Sequence, residues 1–113
     1  MHEVMWAEAV WREVVSEMAR RPERRLRGLR VVVGQWSGAE SESLEFALGL
    51  LAAESDWPDA EILIRGEPLA MRCRACSREF EPQELQLACP SCGSAETDVV
   101  RGRELRLESL EVE

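Results

Sequence analysis

Two pairs of cysteines constrain this chain more than any other feature of its sequence. Cys73 with Cys76 and Cys89 with Cys92 each have the spacing CxxC, and twelve residues separate the two pairs. Two short turns that each supply two thiolates can complete a tetrahedron around one metal ion. Residues 69–97 have few apolar side chains and are too few to form a stable core alone. The sequence therefore predicts a small module that is held together by a metal.

Four thiolates favour a structural zinc ion, because they fill its coordination sphere and leave no position open for chemistry. A rubredoxin-like iron site uses similar turns, although the interval between its cysteine pairs is usually longer. Disulfides or a thiol redox centre are a third possibility, which a reducing compartment disfavours. The apolar residues available to support the module are Met71, Phe80, Leu85 and Leu87.

The charge of the chain disfavours one class of partner. The net charge is −8, from 14 basic and 22 acidic residues, and none of the segments divided at Pro68 and Thr97 is basic. Nucleic-acid binding relies on lysine and arginine to neutralise phosphates. The sequence starts without a signal peptide and has no apolar run near the roughly 20 residues of a membrane span. We therefore expect a cytoplasmic protein that binds neither nucleic acid nor membrane.

Apolar periodicity predicts two helices and three strands. Spacing of three and four residues predicts helices at residues 4–18 and 41–55, and β-branched or alternating stretches predict strands at 29–36, 60–67 and 103–112. Ser37 and Glu40 match a capping box before the second helix, with Ser41 as an alternative N-cap. The apolar phase of the last strand slips by one residue at Glu108 and Ser109, which predicts a bulge or a sheet edge there.

These elements predict an α+β fold in which two helices pack on a three-stranded sheet, with an inserted zinc-ribbon module. An α/β domain of residues 1–68 and 98–113 would then be interrupted by a ribbon of residues 69–97.

The only histidine is His2, and its position gives it a chemistry of its own. A histidine near a terminus is usually solvated and silent. At position 2, however, the α-amine of Met1, the amide of His2 and the imidazole can form fused chelate rings around one metal. Such nitrogen-rich coordination suits Ni²⁺ or Cu²⁺ better than Zn²⁺. Glu3 adds a further amide and a carboxylate.

The order of these features resembles the hydrogenase/urease nickel-incorporation proteins HypA/HybF. Met1-His2-Glu3, a helix, a VVVG strand, a second helix, the cysteine insert and the ending RGRELRLESLEVE cover essentially the whole chain. The resemblance implies a nickel metallochaperone that helps to load Ni²⁺ into [NiFe]-hydrogenase or urease. It implies nickel ligands at Met1, His2 and Glu3, and an acidic residue at the start of the second helix, where this chain has Glu40 in place of aspartate.

The same resemblance implies two partners, a nickel-handling GTPase and the hydrogenase large-subunit precursor. The chain itself has no P-loop pattern. With one histidine at the terminus and its cysteines committed to metal, we expect no enzyme activity. The alternatives from other classes are a zinc-ribbon module for protein interaction or nucleic-acid binding, in which His2 is irrelevant, and a rubredoxin-like electron carrier.

Overall fold

The structure, a computed structural model, describes residues 2–83 and 86–113, with the side chain of His2 left out. Leu85, predicted to support the metal module, lies outside the described residues. Within this range no helix is long and apolar enough to cross a membrane. The elements are α1 (His2–Ala19), β1 (Leu26–Gly34), α2 (Ser41–Ala53), β2 (Glu61–Glu67), β3 (Ala70–Cys73), β4 (Glu79–Phe80), β5 (Thr97–Arg101) and β6 (Leu105–Val112).

The first sheet has the strand order β2-β1-β6. β1 and β2 are parallel and are joined through α2, whereas β6 returns antiparallel on the other side of β1. β1 begins at Leu26, before the predicted start at residue 29. The preceding backbone is drawn into the sheet because Arg25 and Glu113 exchange two N–H···O=C bonds of 3.0 Å. A charged stretch that looks like a connector therefore leads directly into the central strand.

Both helices pack on one face of this sheet, as predicted. α1 contributes every third or fourth residue to the core, α2 contributes Leu44 and Leu48, and β1 supplies the middle of the layer. The buried members of this first core are Ala7, Val10, Val14, Met18, Leu26, Leu29, Val31, Val33, Leu44 and Leu48. Ten buried apolar side chains in one cluster give the sheet and its helices a stable interior.

β6 contains the irregularity that its apolar phase predicts. Arg30 pairs with Ser109 and Val31 pairs with Leu107, so Glu108 is the extra residue of a β-bulge. β6 is also an edge strand. The bulge returns the apolar residues on either side of it to the core face, and the Glu108 carboxylate accepts a 2.6 Å hydrogen bond from Arg65 on the outer face. The prediction of a bulge or an edge is confirmed.

The metal module forms a second sheet with the strand order β4-β3-β5, and both pairings are antiparallel. β5 ends at Arg101, four residues beyond the limit of 97 predicted for the insertion. β5 pairs with β3 over Ala70 to Cys73. Residues 98–101 therefore belong to the sheet of the metal module and not to the first sheet.

The two segments that connect the first sheet with the second come into contact at two glycines. A Cβ built on Gly34 would lie 2.5 Å from the carbonyl carbon of Gly102, and one built on Gly102 would overlap the Pro68 oxygen. The Gln35 side chain accepts a 2.8 Å hydrogen bond from the Leu69 N–H. Close backbone contact at this junction therefore requires glycine at both positions.

Candidate metal centre

The four cysteine sulfurs converge on one point. All four Sγ atoms lie within 4.8 Å of one another. Cys73 and Cys92 have their sulfurs 3.5 Å apart, and those of Cys76 and Cys89 are 3.6 Å apart. Tetrahedral Zn²⁺ with Zn–S bonds of about 2.3 Å places its sulfurs about 3.8 Å apart. The cluster therefore fits one zinc ion, and these separations are too long for disulfides.

Both cysteine turns are built in the same way. In each turn, the residue that follows the second cysteine donates its N–H to the carbonyl of the first cysteine (2.8 Å). The N–H of that first cysteine donates to the carbonyl of the residue five positions later (2.9 Å). The donor–acceptor pairs are Ser77–Cys73, Cys73–Arg78, Gly93–Cys89 and Cys89–Ser94. Ser77 and Gly93, the residues after each CxxC, both have positive φ, 67° and 76°. Two equivalent turns of this kind aim four sulfurs inward.

The thiols influence one another because they are so close. Hydrogen bonds from the backbone N–H groups of Cys92 and Ser91 lower the pKa of Cys89 to about 6. The backbone of Ser94 lowers the pKa of Cys92, but the neighbouring thiols, with partial loss of water around its sulfur, outweigh this and raise it to about 11. Four thiols at this distance cannot all lose their protons unless a cation lies between them. The donor set therefore fits a divalent metal that binds all four as thiolates.

A second, smaller core surrounds these sulfurs. Cys73 and Cys89 are buried, and Cys76 and Cys92 are exposed. The buried cluster consists of Leu69, Met71, Cys73, Phe80 and Cys89, with Leu87 and Val99 packed against it. Three of the four apolar residues expected to support the module, Met71, Phe80 and Leu87, are present in this cluster.

The other predicted metal site lies at the start of α1, and the structure describes only part of it. Met1 lies outside the described residues, and so does the side chain of His2. Glu3 is described, and its Oε2 accepts a 3.2 Å hydrogen bond from the backbone N–H of Glu40. The structure thus brings the Glu3 carboxylate, in the first turn of α1, to the backbone of Glu40, the residue before α2, and both residues line one depression.

Glu40 is itself the N-cap of α2, and the predicted capping by Ser37 or Ser41 is wrong. The Glu40 carboxylate accepts hydrogen bonds from the N–H groups of Glu42 (3.2 Å) and Ser43 (2.8 Å). Ser37 instead accepts a bond from the N–H of Ala39 in the preceding turn. Hydrogen bonds from the side chain and backbone of Ser43 lower the pKa of Glu40. The role of Ser43 as a hydrogen-bond partner of Glu40 was not predicted from the sequence.

Comparisons with known proteins agree over the whole chain. Residues 1–112 match the family model described as hydrogenase/urease nickel incorporation, metallochaperone, HypA. The chain is 36% identical over 117 residues to the hydrogenase maturation factor HypA of Solidesulfovibrio magneticus, covering 100% of both chains. It is 34% identical to that of Desulfitobacterium hafniense strain DCB-2, covering 100% of this chain and 99% of the relative.

The fold is similar to that of a solved relative. The solution structure of the Ni metallochaperone HypA from Helicobacter pylori superposes with a TM-score of 0.67 at 26% identity. The match covers 96% of this chain and 95% of that one. The fold, the sequence matches and the cysteine cluster therefore point to the same family.

Proposed function

The chain belongs to the HypA family of hydrogenase/urease nickel-incorporation metallochaperones, and we propose that it binds the Ni²⁺ that it delivers at its N-terminal end. The ligands in this proposal are the amine of Met1, the amide and imidazole of His2, and the carboxylates of Glu3 and Glu40. One observation carries the proposal: Glu3 and Glu40, which are 37 residues apart in the sequence, are hydrogen-bonded where α1 begins.

An open terminal site suits a carrier, because its cargo must leave again. A terminal amine and a histidine near it can be displaced one at a time by ligands of the recipient protein, whereas a closed cage would retain the metal. The hydrogen bond between Glu3 and the Glu40 backbone ties the first turn of α1 to α2. This contact fixes one oxygen of the Glu3 carboxylate and leaves the other oxygen outside that bond, where it can bind a metal.

The zinc ion has a separate, structural role in this proposal. Four cysteines would fill its coordination sphere, so it would have no open position for catalysis or for transfer. We assign the zinc ribbon to residues 69–97 together with the rest of β5 as far as Arg101, and the nickel-binding domain to residues 1–68 with 102–113. The protein acts by binding and handing over a metal, without catalysing a reaction.

The partners in this proposal are the recipient and its helper. Relatives of this chain are named hydrogenase maturation factors. We propose that this protein works in the cytoplasm with a nickel-handling GTPase and the precursor of the hydrogenase large subunit. The chain supplies no nucleotide-binding loop, so nucleotide hydrolysis would come from the GTPase.

Nickel titration of the zinc-loaded protein tests the terminal site. We expect stoichiometric Ni²⁺ binding that is lost in His2→Ala and in a variant with one glycine added before Met1, with zinc content unchanged in both. A variant with one glycine added after Glu113 is the matched control and should bind nickel normally. Unchanged nickel affinity in the N-terminally extended protein would contradict the proposed ligands.

A further inference from the structure

Three exposed apolar side chains lie along one depression between the two helices. Phe46 is 69% exposed, Leu50 is 54% exposed and Val4 is 39% exposed, although each is large and apolar. Phe46 and Leu50 are four residues apart and so lie on the same face of α2. Scattered single residues of this kind are ordinary on a protein surface, but a contiguous group marks a contact site.

The depression has a volume of 430 Å³ and runs between α1 and α2. We call it the helical groove. The residues that line it are Glu3, Val4, Glu40, Glu42, Ser43, Phe46, Ala47 and Leu50. Leu44 and Leu48 of the same helix are fully buried in the first core. The groove side of α2 is therefore a second apolar stripe, which packing of the domain does not require.

The charged residues that line the groove in the described part of the chain are all acidic. Glu3, Glu40 and Glu42 line it, and within the described part of the chain none of the three forms an ion pair. All 14 basic residues are arginines, and none of them occurs in residues 1–11 or 31–64. The two segments that form the groove thus carry carboxylates without arginine or lysine to neutralise them.

We propose that the helical groove is a docking site for a basic amphipathic helix of a protein partner. Apolar side chains at successive turns of such a helix would contact Val4, Phe46 and Leu50, as in other complexes of a helix in a groove. Lysine or arginine beside them would meet the carboxylates that line the rim. Charge complementarity of this kind raises the rate of association and selects the partner.

The same charges argue against other occupants. A second copy packed symmetrically on the groove would place the same carboxylates against each other, since a two-fold interface pairs identical patches. Anionic lipid surfaces and nucleic acids would be repelled for the same reason. The groove therefore favours a cationic protein segment.

Peptide binding in the helical groove should not require nickel, although the groove includes Glu3 and Glu40. The test therefore uses the zinc-loaded protein without nickel. The probe is a fluorescently labelled synthetic helix of leucine and lysine, with an otherwise identical leucine–glutamate peptide as its comparison. We expect saturable binding of the leucine–lysine peptide by fluorescence anisotropy, at least roughly tenfold weaker in Phe46→Ser, because interface energy concentrates in central apolar contacts.

Leu63→Thr is the matched control variant. Leu63 is an exposed apolar residue of β2, 39% exposed, and does not line the groove. Its substitution should leave peptide affinity within about twofold, since it lies outside the central contacts that dominate binding energy. Glu42→Gln should weaken binding modestly and reduce its dependence on salt, because a single exposed charge contributes little.

Three results would overturn the proposal. Equal affinity in the natural protein and Phe46→Ser would mean that the peptide binds the acidic surface at large. Equal binding of the leucine–glutamate peptide would remove the role of charge. A dimer in sedimentation that Phe46→Ser abolishes would assign the groove to a second copy. Nickel titration of Phe46→Ser should be normal, so failure of this proposal is distinct from failure of the nickel site.

Discussion

The two sheets of the molecule have three strands each but are stabilised in different ways. The first sheet lies under two helices that bury ten apolar residues with it in one core. The cluster packed around the second sheet has five buried members among the described residues, and two of these, Cys73 and Cys89, are predicted metal ligands. Apolar burial is therefore sufficient for the first sheet, whereas we expect the second to depend on bonds from sulfur to a metal.

Zinc removal should produce the largest difference in stability between the two sheets. Cys89→Ser, or a chelator, should abolish protection of the amides of Met71 and Val99 in hydrogen exchange while those of Val31 and Val32 stay protected. Structural zinc sites contribute about 10–16 kcal/mol in small peptides, more than the second core can replace. Ser91→Ala, inside the same CxxC turn, is the control. Loss of protection in both sheets together would show that they unfold as one unit.

Truncation of a core residue should have the next largest effect, in the first sheet. Leu48→Ala leaves a cavity where the side chain is fully buried, and should reduce the free energy of unfolding by about 3 kcal/mol. Leu50→Ala, on the same helix but 54% exposed, should change it by less than about 0.5 kcal/mol. Urea denaturation followed by circular dichroism measures both. Similar losses in the two variants would contradict the orientation of α2.

Substitution at the junction should disturb the contact between the sheets. Gly34→Ala places a Cβ 2.5 Å from the Gly102 carbonyl carbon, and should destabilise the protein by about 2 kcal/mol because the atoms that it meets are packed backbone. Gly49→Ala meets nothing within 4 Å and should stabilise α2 by about 0.5–1 kcal/mol. Thermal denaturation of the pair should give melting temperatures shifted in opposite directions.

Acid should weaken the cap of α2, with the smallest effect. The pKa of Glu40 is held below its ordinary value of 4.5 by Ser43. The carboxylate therefore stabilises the fold above pH 4.5, and this contribution is lost as the pH falls through the lower folded pKa. Glu40→Gln should be slightly less stable at pH 7, and the difference from the natural protein should disappear at acid pH. Glu45→Gln, exposed on the same helix, is the control and should change the free energy of unfolding at pH 7 by less than about 0.5 kcal/mol.

Periodic features were predictable from the sequence because they follow from local geometry. The two helices, the strands of the first sheet and the bulge at Glu108 could be predicted, since each depends on the spacing of apolar residues within one element. The clustering of the four cysteines was predictable for a similar reason, because the CxxC spacing fixes each turn.

Features that depend on distant backbone were not predictable. The early start of β1 at Leu26 depends on the pairing of Arg25 with Glu113, at the far end of the chain. The bond from the Glu40 N–H to Glu3 depends on how α1 packs beside α2. The cap was misassigned because serine is a common N-cap, whereas the longer Glu40 side chain reaches the same N–H groups here.

The crossing of Gly34 and Gly102 makes the zinc module a loop with both of its ends fixed to one folded domain. A loop that is closed in this way has already lost part of its conformational entropy, even when no metal is bound. Its four thiols therefore remain at a high effective concentration for one another. Loss of a zinc ion leaves a tethered polymer in which the same four ligands meet again quickly, so the module can recover its metal without refolding the rest of the molecule.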